Sequence, residues 1–396
     1  MGVDATVAGR HRRPLDSSPV TAFGPWSYLL SFGALNGAVV AVLLLRSGAN
    51  RSANRLLAAL LAVVVLRLVP YILGYAGYYD AYPWLSFAPF DLPLAIGPLL
   101  WLYVVRLTSD ALPPRWPLHL APALLHLVGY GIIFVACTVP QKTWIAQHVI
   151  DPWVAPAITV GALVGLAVYG GKALSHARAY QRWLDGHLSN DEEFRLDWLK
   201  ALLALFAGTG VVWLGFATVD AVRSLSYYDE FPFYLFQAAI ARVLGLLAMR
   251  HAATVYPIPS PADDEPSVAA EPTPPPSTGP DWRALGERYV AAIRANRWAH
   301  DPQLTLAGLA GKLGTNTTYV SRALNLGLGQ SFNDCINGIR VEAVVAELDA
   351  GSTRDLVQLG FDAGFNSKAS FQRAFRRHLQ MTPSAYREAQ ATKSGR

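Results

Sequence analysis

A chain of 396 residues has room for two or three domains, and with 52% hydrophobic and only 15% charged side chains it is too apolar for a soluble DNA-binding protein. The mean hydropathy is +0.26, with the apolar excess almost wholly before residue 250, and the net charge of +5 suits nucleic acid or anionic lipid alike. Two cysteines, Cys137 and Cys335, exclude a disulfide framework, and no Cys or His spacing calls for a metal.

Residues 1–25 form a polar tail bearing Arg10, Arg12 and Arg13, without a signal-peptide cleavage pattern. Seven apolar stretches follow, near 26–45, 56–76, 88–107, 117–137, 152–172, 199–222 and 232–249. Each is long enough to cross a hydrocarbon layer of about 30 Å as a helix. Stretches such as LLAALLAVVVL (56–66) and ALLALFAGTGVVWLGF (201–216) are apolar all round, which a soluble helical bundle rarely needs seven times. A membrane domain is therefore expected over residues 26–250.

Lys and Arg in the loops orient such a domain. With seven spans and a cytoplasmic C-terminus, the inner loops hold Arg46, Arg51, Arg55, Arg106, Arg115, Lys172, Arg178, Arg182, Arg195, Lys200 and Arg250. The outer loops hold Lys142 and Arg223, and only the three N-terminal arginines run against the rule. The inner segment 173–198 is expected to continue the fifth span through Arg182, turn at Asp185–Gly186 and restart at Ser189, with Ser189 and Glu192 as a capping box. It reads either as a solvated loop or as a surface touching the C-terminal domain.

Residues 251–280 are a linker. Tyr256 to Pro280 holds nine prolines and four acids, with no apolar periodicity. A polyproline-like chain of this length reaches on the order of 70 Å.

From Asp281 the pattern changes to short amphipathic helices, with basic residues in excess, as far as residue 390; residues 391–396 are a tail. Asp281 to Trp298 carries Trp282, Leu285, Tyr289 and Ile293 on one face. Leu306, Leu309, Ala310 and Leu313 form the inner face of a support helix, Gly314 makes a turn, Asn316 caps, and Tyr319 to Leu324 begin a second helix. Cys335 to Gly351 is a long helix with Ile339, Val341, Val344, Val345 and Leu348 apolar. Ser352 and Asp355 read as a capping box for a helix with Leu356, Val357 and Leu359 inward. Gly364 turns the chain, and Ser367 caps a helix with Phe371 and Phe375 on one side and cations and amides on the other. Buried aromatics backed by such donors fit a DNA-reading helix, although a solvated basic face shows the same pattern.

The run Gly364-Phe365-Asn366-Ser367, Phe371, Arg373, Phe375, Arg376, Arg377 and then Thr382-Pro383-Ser384-Ala385-Tyr386-Arg387 resembles the second helix-turn-helix of AraC/XylS-family transcription regulators. The segment from Leu304 to Phe332 resembles the first, so the resemblance covers Asp281 to Arg387. It departs at Gln380, where the family usually has glycine, and at Cys335, where an aromatic is common. The resemblance, together with the seven apolar stretches, implies an all-α protein: a seven-helix transmembrane bundle joined by the proline-rich linker to a double helix-turn-helix. It also implies that Thr317, Thr318, Ser321 and Arg322 face one major groove. Lys368, Ser370, Gln372 and Arg373 would face the next, with Arg376 and Arg377 nearer phosphate. Arg322, Gln372 and Arg373 are the best base readers, since Arg matches guanine and Gln adenine in bidentate fashion. Asn316, Ser367 and Thr382 are expected to be caps.

No Walker loop, HExxH or GxSxG motif is present, so an enzyme and a cofactor are not expected. Polar groups in the spans mark a candidate ligand site: Arg67, His126 and Arg242 near mid-depth, Asp91 and Asp220 nearer the outer side. Internal pairing of these groups and a ligand pocket are both open readings. The stretches DLPLAIGPLLWLYVVRLT and ANRLLAALLAVVVLRL look like the multi-span region of membrane-bound AraC-type regulators, which implies a sensor in the cytoplasmic membrane. Expected partners are promoter DNA, membrane lipid, a small-molecule or amphiphilic inducer, a second copy, and RNA polymerase if the protein activates. The competing reading is a transporter-like or purely tethering bundle with an appended DNA-binding domain.

Overall fold

The computed structural model describes residues 21–190, 194, 196–223, 225–226, 228–259 and 280–394. Arg10, Arg12, Arg13, Glu192, Arg195 and linker residues 260–279 lie outside the described residues. The chain divides into two compact units, residues 1–177 with 196–257, and residues 178–195 with 258–396.

The first unit is built from α1 (Pro25–Arg46), α2 (Arg51–Tyr75), α3 (Ile96–Thr108), α4 (Ala121–Ala136), the N-terminal part of α5 (Ala155–His187), α6 (Asp197–Arg223) and α7 (Phe231–His251). Six helical stretches are long and apolar enough to cross a membrane: Pro25–Arg46, Arg51–Tyr75, Trp116–Ala136, Val139–His187, Trp198–Asp220 and Phe231–His251. The expected span at 88–107 is shorter than that. Only Pro93–Thr108 is helical, its first turn a 3-10 turn at Pro93–Ala95. Pro89, Pro93 and Pro98 supply no backbone donors, so regular helix does not extend back to residue 88.

Contacts within this unit set the direction of each helix. Asn54 donates to the carbonyls of Ala49 (2.9 Å) and Ala252 (3.1 Å), which joins the start of α2 to the end of α7. The same end receives the C-terminal part of α3, where Tyr103 lies 6.3 Å from Trp198 and Trp198 stacks on His251 at 4.5 Å. At the opposite end Trp26 meets Phe231 at 4.0 Å and Tyr75 at 5.9 Å. Trp84 meets Phe134 at 6.1 Å, and the buried Lys142 ammonium donates to the Trp84 (2.8 Å) and Ser86 (3.2 Å) carbonyls. Small residues let backbones approach. A methyl group on Gly33 would lie 2.6 Å from Ala238 Cβ, and one on Gly37, a turn later, 2.6 Å from Val65. Outward surfaces stay apolar: Leu125 is 73% and Val135 83% exposed on α4, and Val211 71% on α6. Such contiguous apolar surfaces mark faces suited to contact with lipid or protein.

The second unit holds α8 (Trp282–Ala295), α9 (Leu306–Leu313), α10 (Thr317–Arg322), α11 (Phe332–Asp349), α12 (Leu356–Asp362), α13 (Lys368–Leu379) and α14 (Pro383–Ser394). It has two cores that share α11. Phe332, Cys335, Ile336 and Ile339 pack with α8 to α10, whereas Val341, Val344 and Leu348 pack with Phe365, Phe371 and Phe375. Burial raises the Cys335 thiol to about 12, so it stays protonated and acts as a small apolar filler. Caps fix the helix starts. Asp281 accepts from the Arg283 and Ala284 amides, and Thr305, Asn316, Ser331 and Ser367 each cap the helix that follows. Thr382 Oγ accepts from the Ala385 amide at 3.2 Å, so it too is a cap.

One expected capping box is corrected, and the partner of the other, Glu192, lies outside the described residues. The helix after the 350s starts at Leu356 with Asp355 itself as cap, accepting from the Val357 (2.9 Å) and Gln358 (3.0 Å) amides. A carboxylate one residue before the helix reaches two orphan amides, and Ser352 is too far back for either. Near residue 189, α5 runs unbroken through His187 and α6 begins only at Asp197. The Ser189 hydroxyl donates to the Leu304 carbonyl at 2.7 Å.

Gln380 ends α13 with φ of 57°, a left-handed conformation that costs a side-chain-bearing residue roughly 1–2 kcal/mol. Gln380→Gly should stabilise the second unit by roughly 1 kcal/mol, net of the extra freedom glycine gives the unfolded chain. Thermal unfolding of the purified chain checks this. A lower melting temperature would mean that the Gln380 amide, which donates to the Arg377 carbonyl at 3.0 Å, outweighs the strain.

Candidate nucleic-acid interface

Each recognition unit is two helices and a turn. In the first, α9 ends on Gly314 with φ of 64°, and Asn316 starts α10 by accepting from the Tyr319 amide at 2.9 Å. In the second, α12 and α13 approach so closely that a methyl group on Gly360 would lie 2.8 Å from the Phe371 ring. Gly364 turns between them with φ of 103°. Phe371, Ala374 and Phe375 face inward and join Phe365 and Tyr386 in edge and tilted ring contacts of 5.5–5.8 Å. That inward anchoring leaves Lys368, Gln372, Arg373 and Arg376 exposed on the outer face of α13.

The other expected readers are placed less uniformly. Ser370 is half-buried and its hydroxyl donates to the Ser367 carbonyl at 2.8 Å, so it belongs to the cap. Arg377, expected near phosphate, pairs with Asp334 at 2.8 Å and ties α13 to the first turn of α11. That pair is partly solvent-screened, so its main effect is to orient the helix. In the first unit Thr317, Thr318 and Ser321 are half-buried and Arg322 is exposed, its guanidinium 6.0 Å from the Trp282 ring. Two further residues extend this face. A π-helical turn, Ala323–Gly327, prolongs α10 and presents Asn325, which donates to Ser321 at 3.1 Å, and Leu326, 68% exposed. Four-residue spacing from Ser321 and Arg322 was the signal for them.

Of the five polar residues expected in the spans, two are paired directly, Arg67 with Asp91. Arg67, its side chain 3% exposed, pairs with Asp91 at 3.1 Å and lies 4.5 Å over the Trp213 ring. Asp220 accepts from the Leu225 amide at 2.9 Å, and Arg242 lies 5.4 Å over Phe32. His126 stacks edge-on against Tyr130 at 4.4 Å. Among the described residues, Arg67 Nε, Trp213 Nε1 and His126 Nδ1 are buried without a hydrogen-bond partner. Pairing thus explains one arginine through Asp91, and stacking the other.

No grouping of His, Cys, Asp and Glu that could hold a metal occurs among the described residues.

Two successive helix-turn-helix units on a shared helix, the second with a cationic outer face, define a DNA-binding domain. Residues 309–389 match a family described as a helix-turn-helix domain. The chain carries a C-terminal DNA-binding domain of the AraC/XylS regulator type, preceded by several long apolar helices. No curated protein matches the chain. A solved structure of a protein of unknown function from Listeria innocua is similar over 26% of this chain and 94% of its own, at 23% identity and a TM-score of 0.24.

Arg373→Ala should lower affinity by roughly 1–3 kcal/mol and relax preference at one base pair. Arg376→Ala should weaken all sequences alike and make the salt dependence shallower. Binding to a selected duplex and its single-base variants at several salt concentrations separates the two. A uniform loss for Arg373→Ala would reassign it to phosphate.

Proposed function

We propose that the protein is a membrane-held, one-component transcription regulator, whose helical bundle receives a signal and whose C-terminal domain binds promoter DNA. The observation that carries this reading is covalent. One chain joins six helices of spanning length, with apolar side chains exposed on their outer faces, to a double helix-turn-helix. Such helices do not remain in water, and a DNA reader has no use outside the cell, so the membrane is the cytoplasmic one and the domain lies inside.

The helix directions support seven crossings with the C-terminus inside, α3 being a short crossing completed by the irregular segment before it. The end of the bundle that holds residues 46, 51, 106, 178, 182 and 250 is then cytoplasmic. The other end holds Lys142 and Arg223, and the Lys142 ammonium is there spent on two carbonyls rather than on lipid phosphate.

The signal site we infer lies around Arg67. A buried guanidinium nitrogen and an indole N–H, both lacking acceptors, sit beside a pair that leaves the carboxylate of Asp91 partly exposed. A ligand with an acceptor-rich head would satisfy them, and an amphiphile could reach the site from the lipid. Binding matters to DNA only if it differs between two arrangements of the helices. Inducer, target genes and any contact with RNA polymerase or a second copy are further parts of the proposal.

Reporter fusions test the topology. A phosphatase active only when exported should be silent after residues 51, 182 and 255 and active after residues 79, 142 and 229. Activity after residue 182 would sink the seven-crossing arrangement.

A further inference from the structure

The connection between α5 and α6 is folded into the DNA-binding unit. Residues 178–195 group with the C-terminal domain, although the chain on both sides of them belongs to the bundle. At the tip, Leu188 forms an antiparallel bridge with Thr305, the cap of α9. Ser189 is 1% exposed. Its hydroxyl donates to the Leu304 carbonyl at 2.7 Å and accepts from Arg340 Nη2 at 3.2 Å. The Asn333 amide donates to the Leu188 (3.0 Å) and Ser189 (3.2 Å) carbonyls. Asn190 Oδ1 accepts from Arg340 Nη1 at 3.2 Å, and its amide nitrogen donates to the carbonyls of Pro302 (2.6 Å) and Gly364 (3.2 Å).

These partners lie on the seam between the two recognition units. Pro302 and Leu304 lead into α9, and Gly364 is the turn of the second unit. The seam is tight, since a methyl group on Gly364 would lie 2.7 Å from the Ala299 carbonyl oxygen. A single amide group therefore spans both units, and it belongs to a chain segment that begins and ends in apolar spans. The lever behind it is stiff. Helix α5 has 33 residues, about 50 Å, against a hydrocarbon layer of about 30 Å.

We propose that the Leu188–Asn190 tip is the transmission contact of the protein. It plugs the polar socket around Arg340, holds the DNA-binding domain to α5 and α6, and staples the two recognition units at one relative angle. A displacement of α5 against α6 withdraws or seats the plug, and the angle between α10 and α13, on which simultaneous reading of two major-groove faces depends, changes with it. This rests on the membrane-held reading for its purpose, but not for its geometry.

The test uses the full chain in detergent micelles, with a protease site placed within residues 266–272. After cleavage, the C-terminal fragment should stay with the bundle on a column that holds the N-terminus. Ser189→Ala combined with Asn190→Ala should release it with at least about a tenfold loss of retention, because several hydrogen bonds, two of them to a charged group, are removed. Release of the wild-type fragment at the rate of the double variant would overturn the docking. The uncut double variant is then compared with wild type on a duplex selected by the wild-type chain. A changed affinity, with unaltered thermal unfolding, supports the staple. An equal affinity overturns it while leaving the docking intact. Retention is read without DNA, so failure of the DNA-binding assignment shows up separately.

Discussion

Arg340 has no exposed surface, and its nitrogens end on backbone carbonyls and neutral side chains rather than on a carboxylate. Nε donates to the Ala299 carbonyl at 2.7 Å and Nη2 to the Asp301 carbonyl at 2.8 Å. Burial lowers the guanidinium to about 10, still far above neutral pH, so a full charge sits in the seam between two cores. A buried charge of this kind is tolerated only when every donor is met, and removing an acceptor is costly out of proportion to one hydrogen bond. The position of the residue matters as much as its charge. Ile339 faces the first core and Val341 the second, so Arg340 fixes where α11 passes from one recognition unit to the other. Acceptors on residues 189 and 190 complete its shell, which makes the DNA-binding fold depend on a segment more than a hundred residues away in sequence.

The apolar half obeys a different constraint. Its helices pack through glycines on one side and expose Leu and Val on the other, an arrangement suited to a hydrocarbon surrounding. Arg67 is the exception that gives this half a chemistry. It is buried against Asp91 and Trp213, and its Nε has no partner among the described residues.

Much of this was legible in the sequence because it is written in short-range patterns. The spacing of Phe371 and Phe375 against Lys368, Gln372 and Arg373 gives the reading helix, its buried face and its cap at Ser367. Gly314 and Gly364 announce both turns, and apolar run length marks the six helical stretches long enough to cross a membrane. What failed depended on contacts between distant residues. The long-range bond of Ser189 was not legible, because its acceptor, the Leu304 carbonyl, is 115 positions away. The pairing of Arg377 with Asp334 was not legible because the two lie on different helices. No small-residue seam stands out in the sequence, and only packing shows Gly33 pressed against Ala238 and Gly37 against Val65. The short third helix reflects three prolines whose lost hydrogen bonds a hydropathy count cannot register.

The central claim is that DNA is bound by a protein that stays in the membrane. Cells expressing the full chain can be crosslinked and lysed, their membranes isolated by flotation, and the attached DNA sequenced. The account predicts a small set of discrete promoter fragments in the floating fraction, lost when Gln372 and Arg373 are both changed to alanine. Fragments recovered only from the soluble fraction, or membrane fragments unaffected by that double change, would contradict it.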